Sequence, residues 1–133
     1  MKLNLSDRVF ILESGIVKVN GTISEAEISE SISEKIFITR SEEKTMVKTQ
    51  VSPDSFMVSY TSKSAFNEED FNITDEELEY LKEGVNHLNN IGMVNKYNLD
   101  SVKKIIDQPF IDPVLTEKWH EIFYPTIQES DNV

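Results

Sequence analysis

The spacing of apolar positions changes character partway along this chain. Up to residue 61 they fall in short runs bounded by turn residues, as strands do; from residue 73 they recur every three or four positions, as helices do. The best-specified element covers residues 73–93. Thr74 is a good N-cap and Glu77 stands where it can return the hydrogen bond of a capping box, with Ile73 and Leu78 as the hydrophobic staple. Leu78, Leu81, Val85 and Leu88 form one stripe, and Gly92 followed by Met93 suits a Schellman ending. Gly84 lies inside this helix at a cost of about 1 kcal/mol relative to alanine, which points to close packing beside it.

The N-terminal half reads as β structure. Val9-Phe10-Ile11-Leu12 and Ile16-Val17-Lys18-Val19 flank Ser14-Gly15, and a two-residue loop there opposes Leu12 to Val17 and Phe10 to Val19. Asn20-Gly21 is the stronger turn dipeptide, but it opposes Val19 to Thr22 and Val17 to Ser24, a poorer apolar face, so the first register is expected. Ser24 with Glu27 has the capping-box spacing, and Ile28, Ile32 and Ile36 recur every four residues, predicting a short helix over 24–35. Strands are expected at 36–39, 45–51 and 56–61, the first two joined by a turn at 41–44 and the last two by Ser52-Pro53-Asp54-Ser55. That second hairpin opposes Val51 to Phe56, Thr49 to Val58 and Val47 to Tyr60.

Residues 62–72 read as a loop. Asn98 is the expected cap of a helix over 99–108 that carries Leu99, Val102, Ile105 and Ile106 and stops at Pro109. Asp112-Pro113 starts a last helix with Leu115, Trp119, Ile122 and Phe123 on its apolar face, ending at Pro125; the tail over 126–133, polar from Gln128, is expected to fray. Segregated strands and helices predict an α+β fold in one domain over 1–133. An antiparallel sheet of about five strands, with one early helix, would occupy 1–61 and be covered by three helices within 73–125.

Composition narrows the chemistry. With 133 residues and 38% hydrophobic residues the chain can build a core; with no cysteine it has no disulfide, thiolate nucleophile or Cys-ligated zinc. No apolar run is long enough to cross a bilayer and the first residues lack a signal-peptide pattern, so a cytoplasmic location without a membrane partner is expected. The four glycines, at 15, 21, 84 and 92, make no phosphate loop or dinucleotide fingerprint, and no serine sits in a Gly-x-Ser-x-Gly elbow. Basic residues are dispersed, which argues against nucleic acid as a partner. No cofactor is implied.

The net charge of −11 is uneven: residues 1–65 carry eight basic and nine acidic side chains, and residues 66–133 carry five and fifteen. The densest acidic run is Glu68, Glu69, Asp70, Asp75, Glu76, Glu77, Glu79 and Glu83, with Lys82 as the single cation within it. Asp70 opens a segment like an EF-hand loop, but Asp75 stands where the glycine belongs and Leu81 where the bidentate glutamate belongs, so calcium is not expected. Acids in the first helical turn complement the helix dipole; Glu68, Glu69, Asp70, Glu79 and Glu83 lie outside that turn. A solvated face is the plain reading of such a run. Glu83 and His87 have i,i+4 spacing but no second histidine to build a metal site, and for His120 a general-base role needs an orienting acid and a substrate cleft, of which Glu117 at i−3 supplies only the acid.

The expected function is therefore a non-catalytic, acidic protein-binding domain that presents Glu68, Glu69, Asp70, Glu76, Glu79 and Glu83 to a basic protein. An immunity or antitoxin-like inhibitor of a basic toxin or nuclease is its concrete form. Two alternatives are a structural subunit or assembly factor of a phage or secretion particle, and an enzyme or ligand binder whose site is assembled only in the fold around His87 or His120.

Overall fold

Asn4 sets the opening of the chain. Its side chain accepts from the Asp7 backbone N–H at 2.8 Å, and the Asp7 carboxylate accepts from the Asn4 N–H at 2.9 Å. This capping box starts helix α1, Leu5–Glu13, directly after a two-residue strand β1, Lys2–Leu3. The computed structural model describes residues 1–53 and 55–126. Two compact units divide the chain, Met1–Asn72 and Ile73–Val133. The fold is α+β, with two separate two-stranded antiparallel sheets among the described residues. The expected tail from Gln128 and the Asp54 position of the hairpin turn lie outside those residues.

The first unit continues with α2 (Ile23–Lys35), α3 (Arg40–Glu43), β2 (Met46–Ser52), β3 (Ser55–Tyr60), a 3-10 helix Lys63–Phe66, and β4 (Glu69–Asp70). The expected five-strand sheet is not formed. Val9-Phe10-Ile11-Leu12 belongs to α1, because the Asn4 cap winds the chain into a helix that buries Leu5 and Val9 on one side and Ile11 on the other. Gly15, at φ 86°, follows the Ser14 C-cap and ends the helix; it does not turn a hairpin. The run 36–39 is no strand either: Ile36 caps α2, Arg8 takes the carbonyls of Ile36 and Phe37, and Thr39 caps α3 with a capping box to Glu42. The cap of α2 itself is Thr22 with Glu25, two residues ahead of the expected pair.

The expected β2–β3 hairpin is present in a different register. Met46 opposes Tyr60, Lys48 opposes Val58 and Gln50 opposes Phe56, with an irregularity between Gln50 and Ser52 that takes up Val51. One extra residue there shifts the pairing by one along the ribbon. Met46, Val58 and Tyr60 consequently pack with Ile38 against Leu5, Val9 and Ala65, while Val47, Val51, Phe56 and Met57 stay exposed. β1 and β4 form the second ribbon, Lys2 opposite Asp70 and Leu3 opposite Glu69, so residues 62–72 hold more structure than a loop.

The second unit contains α4 (Asp75–Asn90), α5 (Leu99–Asp107) and α6 (Pro113–Phe123). The α4 ends are those the pattern predicts. Thr74 and Glu77 exchange capping hydrogen bonds at 3.2 and 2.9 Å. Gly92 has φ 70°, its N–H reaches Asn89, and the Met93 N–H reaches the Leu88 carbonyl at 2.9 Å, a Schellman ending. Leu78, Leu81, Val85, Val102, Ile105, Phe110 and Trp119 are buried; each such side chain contributes about 1.5–3 kcal/mol through burial. Asn98 makes no side-chain cap for α5; its Oδ1 accepts from the Asn95 N–H instead. No helix among the described residues is long and apolar enough to cross a membrane.

Candidate functional site

The acidic run divides between the units, Glu68, Glu69 and Asp70 in the first and Asp75 to Glu83 in the second. Five of its eight carboxylates are engaged inside the fold. Asp70 accepts from the N-terminal ammonium of Met1 at 3.0 Å. Asp75 accepts the backbone N–H groups of Ile111 and Asp112 at 2.8 and 3.0 Å, tying the α5–α6 connection to the start of α4. Glu77 is the buried reciprocal partner in the capping box. Glu79 receives Trp119 Nε1 at 2.8 Å and Lys118 Nζ at 3.0 Å, and those donors hold its carboxyl below the usual carboxylate range. Glu68 is also engaged.

Glu76 and Glu83 are the exception on α4. Both are exposed and have no ion-pair partner among the described residues. Seven positions is close to two helical turns, so the two carboxylates stand one above the other on the outer face, about 10 Å apart along the axis, with His87 next in the row. Lys82, the one cation within the run, faces the other way. Its Nζ donates to the carbonyls of Ile105 and Ile106, both at 2.7 Å, and lies 5.3 Å from the Phe110 ring centroid. Only 2% of the residue is exposed. It closes the C-terminal turn of α5, where carbonyls lack helical donors and the dipole is negative. Burial pulls its ammonium down to about 8, with the Asp107 charge opposing.

The first unit has a matching buried cation. Arg8 donates through Nε to the Ile36 carbonyl at 3.2 Å, through a terminal nitrogen to the Phe37 carbonyl, and to both Glu42 oxygens at 2.5 and 3.0 Å. The guanidinium also lies 5.3 Å from the Phe71 ring centroid. Hydrogen bonds from Arg8, with help from Thr39, hold the Glu42 carboxyl at about 2 despite partial burial. Sequence reasoning missed both cations. The available signal was position: Lys82 falls between Leu78 and Val85, and Arg8 between Leu5 and Val9, at spacings that put a charged residue beside an apolar stripe.

His87 and His120 are both exposed. His120 lies against Tyr124 at a ring separation of 5.3 Å. Among the described residues, no three His, Asp or Glu side chains gather as a metal ion would need. No family model, curated protein or solved structure matches this chain.

Proposed function

We propose that the chain is a non-catalytic, acidic protein-binding domain for a basic protein, of the kind in which an immunity or antitoxin-like inhibitor neutralises a basic toxin or nuclease. The observation that carries this reading is the outer face of α4. Glu76 and Glu83 are stacked there, exposed and unanswered among the described residues, while the neighbouring Lys82 is withdrawn into the core. Glu76 complements the α4 dipole from the first turn, a role Glu83 does not have; both charges, left without an internal ion pair, attract cations over roughly a Debye length. Glu79 stands on the same side with its charge shared by Lys118, and Glu68, Glu69 and Asp70 extend the candidate set in the first unit.

The test is capture of partners from cell extract on immobilised chain at low and high salt, with the Glu76→Lys/Glu83→Lys variant as a parallel bait. The reading expects basic proteins that are retained at low salt, released at high salt and missed by the variant. Neutral partners held regardless of salt would oppose it.

A second reading, a subunit or assembly factor of a phage or secretion particle, draws on the β2–β3 ribbon. Val47, Val51, Phe56 and Met57 are 41–62% exposed on a ribbon of only two strands. A stable homo-oligomer in sedimentation would favour it over the first.

A further inference from the structure

A cleft of about 310 Å³ opens in the first unit between the beginning of α1, the α3 turn and the segment that carries the 3-10 helix and β4. Its volume lies at the small end of ligand sites. The floor is apolar, made of the buried side chains of Leu3, Leu5 and Ala65. Polar groups on the walls fall into two sets. Arg8 and Glu42 are committed to each other, the Thr45 hydroxyl to the Glu42 carbonyl and the Ser64 hydroxyl to Ser62, and four of the five guanidinium N–H donors have acceptors, so an anion finds no free fork to bind. Ser41, Asn67 and Glu69 are exposed at the rim and have no side-chain partner among the described residues.

The charges on this cleft are one guanidinium and two carboxylates, and the Arg8–Glu42 pair cancels internally, which leaves Glu69. Leu3 and Glu69 oppose each other directly across the β1–β4 ribbon. Opposed residues of an antiparallel pair project to the same face, so the apolar floor adjoins the free carboxylate. That juxtaposition suits a ligand with an aliphatic stem and a cationic, donor-only head.

We propose that this cleft binds an alkylguanidinium or alkylammonium cation, its stem on Leu3, Leu5 and Ala65 and its head on the Glu69 carboxylate, with Ser41 and Asn67 accepting the remaining N–H donors. The proposal stands independently of the α4 face. Such a head group is carried by free amines and by arginine or lysine side chains of a protein, and the cleft recognises the chemistry they share.

The test is a two-dimensional ¹⁵N–¹H titration of the full chain at low salt. One arm uses n-butylguanidinium and the other an end-capped tripeptide with central arginine, with n-butyrate and n-butanol as controls. The expected result is saturable shifts at the amides of Ser41, Asn67 and Glu69 with the cations and none with the controls. Glu69→Gln weakens binding roughly fivefold, the scale of one partly exposed charge-assisted contact, while Glu76→Gln leaves it unchanged. Tighter binding of the tripeptide identifies a protein side chain as the source, and tighter binding of the free cation a small molecule. Absence of saturable shifts, equal response to butyrate or butanol, or indifference to Glu69→Gln in a variant with an otherwise unchanged spectrum overturns the proposal.

Discussion

Replacing Lys82 by methionine keeps the length and apolar stem of the side chain and removes only the ammonium. Two consequences follow for the second unit, in opposite directions. The carbonyls of Ile105 and Ile106 each lose a donor at 2.7 Å, at a cost of about 1–3 kcal/mol for a buried acceptor left unpaired. The burial of a charge is relieved as well. The ammonium falls from 10.5 free in water to about 8 in the fold, which at about 1.4 kcal/mol per pH unit corresponds to about 3 kcal/mol at most. The helix-end carbonyls favour the charged form and reduce that figure.

The two effects separate by pH. Lys82 has its folded-state value below its unfolded one, so between about pH 8 and 10.5 the unfolded chain binds more protons than the folded chain. Stability from this group therefore rises with pH across that window. Lys82→Met lacks the effect, while the raised Tyr60 and Tyr124 titrations are common to both proteins and cancel in the comparison. Urea unfolding followed by fluorescence of Trp119, the single tryptophan, reports the unit concerned. Lys82→Met is expected to be less stable at neutral pH by about 1–2 kcal/mol, with the gap widening by up to about 3 kcal/mol toward pH 11. A gap that stays constant with pH would mean that Lys82 titrates as it does in water, and would refute the burial penalty assigned to its ammonium.

Three further outcomes are expected. Glu42 lies at about 2, below its free value, so its contribution to the first unit is complete above about pH 4.5 and is lost as pH falls toward 2; acid unfolding monitored by circular dichroism should lose that component in Glu42→Gln. Arg8→Lys retains the charge but not the fork that serves Glu42 and two carbonyls together, and should destabilise the first unit by about 2–4 kcal/mol in denaturant titration. Asn4→Ala removes the α1 cap and should cost about 1 kcal/mol, measured as accelerated amide exchange over the first turn of α1.

How much was legible in the pattern depends on where each element keeps its stop signals. α4 was readable from end to end because Thr74, Glu77 and Gly92 fix both termini within the element. α1 was not: Val9-Phe10-Ile11-Leu12 is an unbroken apolar run that fits a strand as well as a buried helix, and the deciding pair, Asn4 and Asp7, stands before it. The β2–β3 hairpin was readable as a hairpin, but the irregularity at Val51 cannot be inferred from alternation, so the register was displaced by one. The acidic run was visible as composition only. The capping role of Glu77 was readable, but not that Asp75 serves the Ile111 and Asp112 N–H groups or that Glu79 serves Trp119, since those partnerships depend on what folds against α4. Lys82 lies within the run in sequence but points away from it in the fold.

The outward carboxylates of α4 are the centre of the functional account, and the most direct measurement is the affinity of a purified captured partner as a function of ionic strength. It should be run on the wild-type chain and on Glu76→Lys/Glu83→Lys. Raising salt from about 0.01 M to about 0.15 M shortens the screening length from about 30 Å to about 8 Å. Wild-type affinity should fall steeply over that range, with the variant binding more weakly at low salt and losing most of the salt dependence. Equal affinity of the two proteins, unmoved by salt, would contradict it.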